Sequence, residues 1–166
     1  MEFRQQKGIT LVELVIVIVV LAIVSVIASI RMSQTSSITT SYQADLFASH
    51  LRHQQSLAIN WGCQLNMNVV STGYSVTSRL SYADKDCSVA GATIIDPATK
   101  ELFSRLLTNQ AQFSSAKSMG VDSLGRPIDA ATGGLLTTDT VFTITSGGSW
   151  QVTVSPISGF VDVVKL

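Results

Sequence analysis

Charge is what this chain has least of. Among its 166 residues are 11 Lys and Arg and 11 Asp and Glu, 13% of the total, and the formal net charge is zero. With neither sign in excess, there is no bulk electrostatic attraction to nucleic acid or to an acidic surface. Histidine and cysteine number two each, and the cysteine spacing matches no compact zinc module. No glycine loop that could cradle a phosphate is present, and no nucleophile elbow. Ser155-Pro156 and the scattered Asp residues read as turn chemistry. These absences lead to the expectation of a non-enzyme, with no cofactor and no resident metal.

What the chain does have is an uncharged run. From Leu14 to Ile30 the only polar side chains are Ser25 and Ser29, and Glu13 stands at the head of the run. A carboxylate in a membrane-length segment is costly unless it has a partner, so Glu13 marks a candidate functional site. About 22 helical residues at 1.5 Å each span about 33 Å, enough to cross the hydrocarbon core. Ala22, Ser25, Ala28 and Ser29 permit close helix approach, although small residues are common in any membrane helix. Arg4 and Lys7 precede the run and Arg31 follows it, a bias that favours a cytoplasmic N-terminus with the rest outside. An ordinary single-pass anchor, with Glu13 near the headgroups, shares these features. The residues around Glu13 separate the two readings.

Lys7-Gly8-Ile9-Thr10-Leu11-Val12-Glu13-Leu14 resembles the class III signal of type IV prepilins and type II secretion pseudopilins. That signal is a short basic leader ending in Gly, followed by a hydrophobic helix with Glu at its fifth residue. The resemblance implies that a prepilin peptidase cuts between Gly8 and Ile9 and methylates the new amine of Ile9. A secretory signal peptide would instead be cut after its apolar region. The freed amine lies four residues before Glu13, the spacing of an i,i+4 contact, and Glu13 could equally meet the amine of a neighbouring subunit in a filament. Ile9 stands where major pilins usually have Phe, and no Pro occurs around Ile30; both departures point to a minor subunit.

The chain divides into a leader at 1–8, a transmembrane helix half at 9–31, an amphipathic helix half at 32–60 and a β-rich head at 61–166. The expected fold is α+β, a long N-terminal helix packed on the head, as in type IV pilins. On a helical wheel Tyr42, Leu46, His50, His53 and Leu57 fall within about 80°, with Phe47, Leu51 and Ala58 on the adjacent sector. The Ser/Thr-rich run Ser33 to Ser41 could fray or bend the helix.

In the head, Cys63 to Val69 alternates apolar and polar residues and turns at Ser71-Thr72-Gly73 into Tyr74 to Ser78, a hairpin. Further strands are expected at Leu102 to Leu107, Ala111 to Ser115, Val141 to Thr145, Gln151 to Val154 and Phe160 to Val164. Ser81 to Gly91 and Gly120 to Thr138 read as loops. A Cys63–Cys87 bridge would close a loop of about 25 residues, worth roughly 3.5 kcal/mol in the chain-entropy model. Two free thiols, or a zinc site with His50 and His53, are the alternatives.

Val121-Asp122-Ser123-Leu124-Gly125-Arg126-Pro127 resembles the "F-D-x-x-G-R-P" turn of the GspH/FimT group of minor pilins and pseudopilins, and Val152 to Pro156 through Gly159 resembles that group's closing strand. Within the group the chain looks most like the MshC-type minor pilins of mannose-sensitive haemagglutinin pili. DNA-binding members carry Arg around the closing motif; here Gly159 to Lys165 holds Asp162 and a single Lys. Phosphate contacts need clustered cations, so nucleic acid is not an expected partner unless Arg126, Arg105 and Lys117 gather in space. The resemblance implies a single-pass inner-membrane protein with a periplasmic head that enters the pilus on assembly. Its implied partners are prepilin peptidase, the major and other minor pilins, the pilus ATPase and the inner-membrane assembly platform. A GspH-type pseudopilin of type II secretion and an uncleaved, membrane-anchored binding domain are the rival readings.

Overall fold

The computed structural model describes residues 11–78 and 91–166, with the side chains of 26–37 left aside. Two compact units are present, Met1–Thr35 and Ser36–Leu166. A single helix, α1, runs Leu11–Trp61 and is continuous through the Ser/Thr-rich run, with no break there. It ends at Gly62, whose φ of +62° opens the left-handed region. There the amides of Gly62 and Cys63 donate to the carbonyls of Ile59 and Ala58 at 3.3 and 3.1 Å, the two bonds of a Schellman cap. Among the described residues no helix is long and apolar enough to cross a membrane. The described side chains of the apolar run stop at Ser25, so the segment expected over 9–31 extends past them at both ends.

Among the described residues nine strands follow: β1 Leu65–Val70, β2 Gly73–Ser78, β3 Ser104–Leu106, β4 Gln112–Phe113, β5 Lys117–Val121, β6 Pro127–Asp129, β7 Thr140–Thr145, β8 Ser149–Val154 and β9 Val161–Lys165. They form a five-stranded sheet of order β3-β2-β1-β5-β6 and a four-stranded sheet of order β4-β7-β8-β9. Every pairing is antiparallel. The α+β architecture, a helix packed on antiparallel sheets, is the one expected from the sequence.

The two sheets meet the helix through Phe47. It is fully buried, and its ring stands edge-on to Tyr74 of β2, Phe113 of β4 and Phe142 of β7, at centroid distances of 4.9, 4.9 and 5.1 Å. Such packing adds to area burial because each ring edge meets a negative ring face. The buried stripe of α1 is Thr40, Gln43, Ala44, Phe47, Ala48, Leu51, Gln54, Leu57 and Ala58. That is a rotation from the expected face. Tyr42 is 57% exposed, while Leu46, His50 and His53 lie at a half-buried edge. Small Ala44 and Ala48 let the helix approach, so the face is centred on Phe47 and Leu51 rather than on the larger polar rings.

Two strands were not expected. The region 120–138 is no simple loop: β5 inserts between β1 and β6, with Met119 opposite Met67 and Gly120 opposite Asn66. Gly120 is required there, since a Cβ would stand 2.7 Å from both Asn66 Oδ1 and Ile128 Cγ1. Glycine in a strand marks such close approach. The strand expected over 102–107 shrinks to β3, and that over 111–115 to β4. Residues 91–103 instead form a narrow hairpin, bridged Ile95 to Leu102 and joined to β2 by the bridge Thr77 to Thr93. Most of the loop expected over 81–91 lies outside the described residues.

Candidate functional site

The first candidate is the N-terminal stretch of α1. Glu13 lies near the start of the described part of α1, at the head of its apolar stretch. It is exposed, and so are Leu11, Val12, Leu14 and every large apolar residue from Val15 to Val24. A helix apolar on all sides is built for an apolar environment, whether lipid or other helices. Ser25 turns its hydroxyl back to the Leu21 carbonyl at 2.7 Å, which leaves the helix surface apolar there. Gly8 and Ile9, the expected processing residues, lie outside the described residues.

The second candidate is in the head, where the two turns singled out in the sequence come together against α1. Asp122 organises the first. Its Oδ1 accepts the amides of Leu124 and Arg126 at 3.0 and 2.8 Å. Its Oδ2 accepts the Arg126 side chain through Nε at 2.8 Å and Nη2 at 2.7 Å. Burial alone would raise the Asp122 carboxyl; the amides and guanidinium outweigh it and hold it below the usual carboxylate range. Gly125 takes a φ of +81° and lies against Ile59 of α1.

The second turn joins β8 to β9. Gly159, at φ +66°, packs so closely that a Cβ would stand 2.6 Å from Gln55 Nε2 and 3.1 Å from the Gly125 carbonyl oxygen. Gln55 Nε2 donates to the Gly159 carbonyl at 2.7 Å and Arg52 Nη2 to that of Val161 at 2.8 Å. Sequence reasoning found both turns but missed Arg52, Gln55 and Ile59. A polar flank on a helix looks the same whether it meets solvent or carbonyls about a hundred residues away.

The remaining sequence candidates separate. Cys63 is fully buried just ahead of β1, and Cys87 lies outside the described residues. His50 and His53 do not converge on a metal: Tyr74 Oη meets His50 Nδ1 at 2.8 Å, and His53 Nε2 meets Asp96 Oδ1 at 3.1 Å. Among the described residues no group of three or more His, Cys, Asp or Glu could hold a metal ion. The cations do not gather either. β3 and β6 are opposite edges of one sheet, which separates Arg105 from the Arg126 turn, and Lys117 lies 6.0 Å from the Phe142 ring centroid.

Residues 3–29 match the prokaryotic N-terminal methylation motif. No curated protein matches the chain in sequence. Structures of two other proteins are similar in fold. The minor pseudopilin EpsH from the type 2 secretion system of Vibrio cholerae aligns over 76% of this chain and 96% of its own, with a TM-score of 0.52 and 13% identity. The type IV minor pilin FimU of Pseudomonas aeruginosa aligns over 75% and 87%, with a TM-score of 0.52 and 12% identity; in a second crystal form its TM-score is 0.50. The chain thus carries a prokaryotic N-terminal methylation motif on a molecule with the fold of minor pilins and pseudopilins.

Proposed function

We propose that this chain is a minor pilin that starts or caps a type IV pilus of the mannose-sensitive haemagglutinin class. The observation that carries the reading is the union of a methylation motif at residues 3–29 with a head of minor-pilin fold. Assignment to that pilus class rests on the MshC-type resemblance of the sequence. In this reading prepilin peptidase cuts between Gly8 and Ile9 and methylates Ile9. The helix remains as a single inner-membrane anchor, and the head stands in the periplasm until assembly. The partners are the major and other minor pilins, the pilus ATPase and the assembly platform. The subunit is structural rather than catalytic.

Glu13 carries the assembly step. An unpaired charge in an apolar filament core is costly, so a subunit is drawn into the register that pairs its carboxylate with an N-terminal amine. Cys63, buried just ahead of β1, forms a bridge with Cys87.

A GspH-type pseudopilin is the second reading, favoured by a likeness to EpsH as close as that to FimU. Gene neighbours separate the two, a pilus operon for one and a secretion operon for the other. The N-terminal peptide mass of protein purified from its native membrane tests both against a plain anchored binding domain. A peptide beginning at Ile9 with one added methyl group is expected. A peptide beginning at Met1 would mean an anchored domain with its leader retained, and the role of Glu13 would fall with it.

A further inference from the structure

A cluster of titratable side chains outside both candidate sites lies where α1 meets the outer edge of the five-stranded sheet. His50 and His53 supply it from α1, Tyr74 from β2, Arg105 from β3 and Asp96 from the 91–103 hairpin. Phe103 fills the space between them, with its ring centroid 5.2 Å from that of His50 and 5.5 Å from that of His53. β3 is an edge strand: among the described residues it pairs with β2 alone, over three residues, with one further bond at each end, from the Val76 amide to the Phe103 carbonyl and from the Leu107 amide to that of Thr72.

We propose that His50 is an acid-sensitive latch that holds Tyr74 of β2 and Phe103, the residue leading into β3, against α1, and that its protonation releases this edge of the sheet. When His50 is neutral, its Nδ1 can accept the hydroxyl proton of Tyr74 across the 2.8 Å contact. Tyr74 is 4% exposed, and burial raises its hydroxyl well above the ordinary range, so it stays a neutral donor. Protonation turns the contact round. Nδ1 then carries a hydrogen, the Tyr74 oxygen must accept it, and the buried hydroxyl proton loses its acceptor.

The new imidazolium also faces like charge. Burial, the Arg105 guanidinium and His53 all oppose a charge on His50, and Asp96 is the one group that favours it; the net effect lowers its pKa. A half-buried base with a lowered pKa costs stability as pH falls below the ordinary histidine range, because the unfolded or loosened form binds the proton more readily. Burial, the largest of these causes, and the Arg105 charge are both relieved when the Phe103 edge moves off the imidazole.

The Asp96 turn is held separately. Its carboxyl accepts the Ala98 amide at 2.9 Å and meets His53 Nε2 at 3.1 Å, so the turn keeps its own fastening when the His50 contact is lost.

Amide hydrogen exchange on the full chain in detergent tests this, compared between about pH 7.5 and about pH 5.5 after correction for intrinsic rates. The reporters are the Leu107 amide, bonded to the Thr72 carbonyl, and the Val76 amide, bonded to that of Phe103; the Lys100 amide, bonded to the Asp96 carbonyl, is the control. Protection of the two reporters should fall by about tenfold at the lower pH while the control holds, and H50Q should abolish the fall. Equal protection of the reporters at both pH values, or a fall that persists in H50Q, would overturn the proposal. Should H50Q fail to fold, R105Q provides the same test: it removes the opposing cation, so the fall should shrink. An undiminished fall in R105Q would count against the latch.

Discussion

Gln55 on α1 donates from Nε2 to the carbonyl of Gly159 at 2.7 Å, and the same glycine lies against the carbonyl of Gly125. One helix side chain thereby secures the turn before the last strand, and that turn in turn packs on the Asp122–Arg126 loop. The two sequence motifs that pointed to a minor pilin are one structural unit, with the helix as its third member.

Gly159→Ala should destabilise the head by about 1–3 kcal/mol. The left-handed φ disfavours a Cβ, and the Gly125 carbonyl cannot move aside as a flexible side chain could. Thermal unfolding of the variant beside the parent chain reads the change as a lower Tm. An unchanged Tm would show that the two turns are not packed as tightly as described.

Asp122→Asn should cost about 1–3 kcal/mol at neutral pH, since it replaces an acceptor of the Arg126 guanidinium with a donor. Because the folded carboxyl titrates below its ordinary range, its stabilisation is full above about pH 4 and is lost as pH falls through the lowered value. Urea unfolding of both proteins across pH should therefore show their difference narrowing in acid. A difference that stayed constant would assign it to packing rather than to charge.

Phe47→Ala should cost about 3–5 kcal/mol, the range for removing a fully buried aromatic ring. Phe47 touches rings from both sheets, so the loss should loosen both, with less protection from hydrogen exchange in β2 and in β7. Loss confined to one sheet would mean that the sheets are joined elsewhere.

Glu13→Val should abolish or sharply reduce incorporation into filaments while leaving membrane insertion intact. Fractionation of cells into membrane and sheared-filament pools measures both. Normal incorporation would remove charge pairing as the basis of register.

Reduction of the unfolded chain should add about two daltons, and loss of a Cys63–Cys87 bridge should lower stability by roughly 3.5 kcal/mol. Intact-mass measurement before and after reduction decides it, and an unchanged mass would mean two thiols.

The sequence was most legible where the pattern is local. A long uncharged run, one carboxylate at its head and alternating strands such as Thr140–Thr145 follow from side chains that are neighbours along the chain, so periodicity and spacing are enough to read them. The interior strand β5 was not legible. Lys117-Ser118-Met119-Gly120-Val121 has little β-branched character, and it is a strand because β1 and β6 flank it on both sides.

The same division holds for function. The sequence by itself determined the N-terminal motif, the place of Glu13 and the two glycine turns, since each depends on residues within a few positions of one another. Tertiary structure alone decided which face of α1 is buried, that Arg52 and Gln55 hold the closing turn, and that His50 meets Tyr74 while His53 meets Asp96. Those outcomes depend on shape and hydrogen-bond complementarity between segments far apart in the chain, which no local pattern encodes.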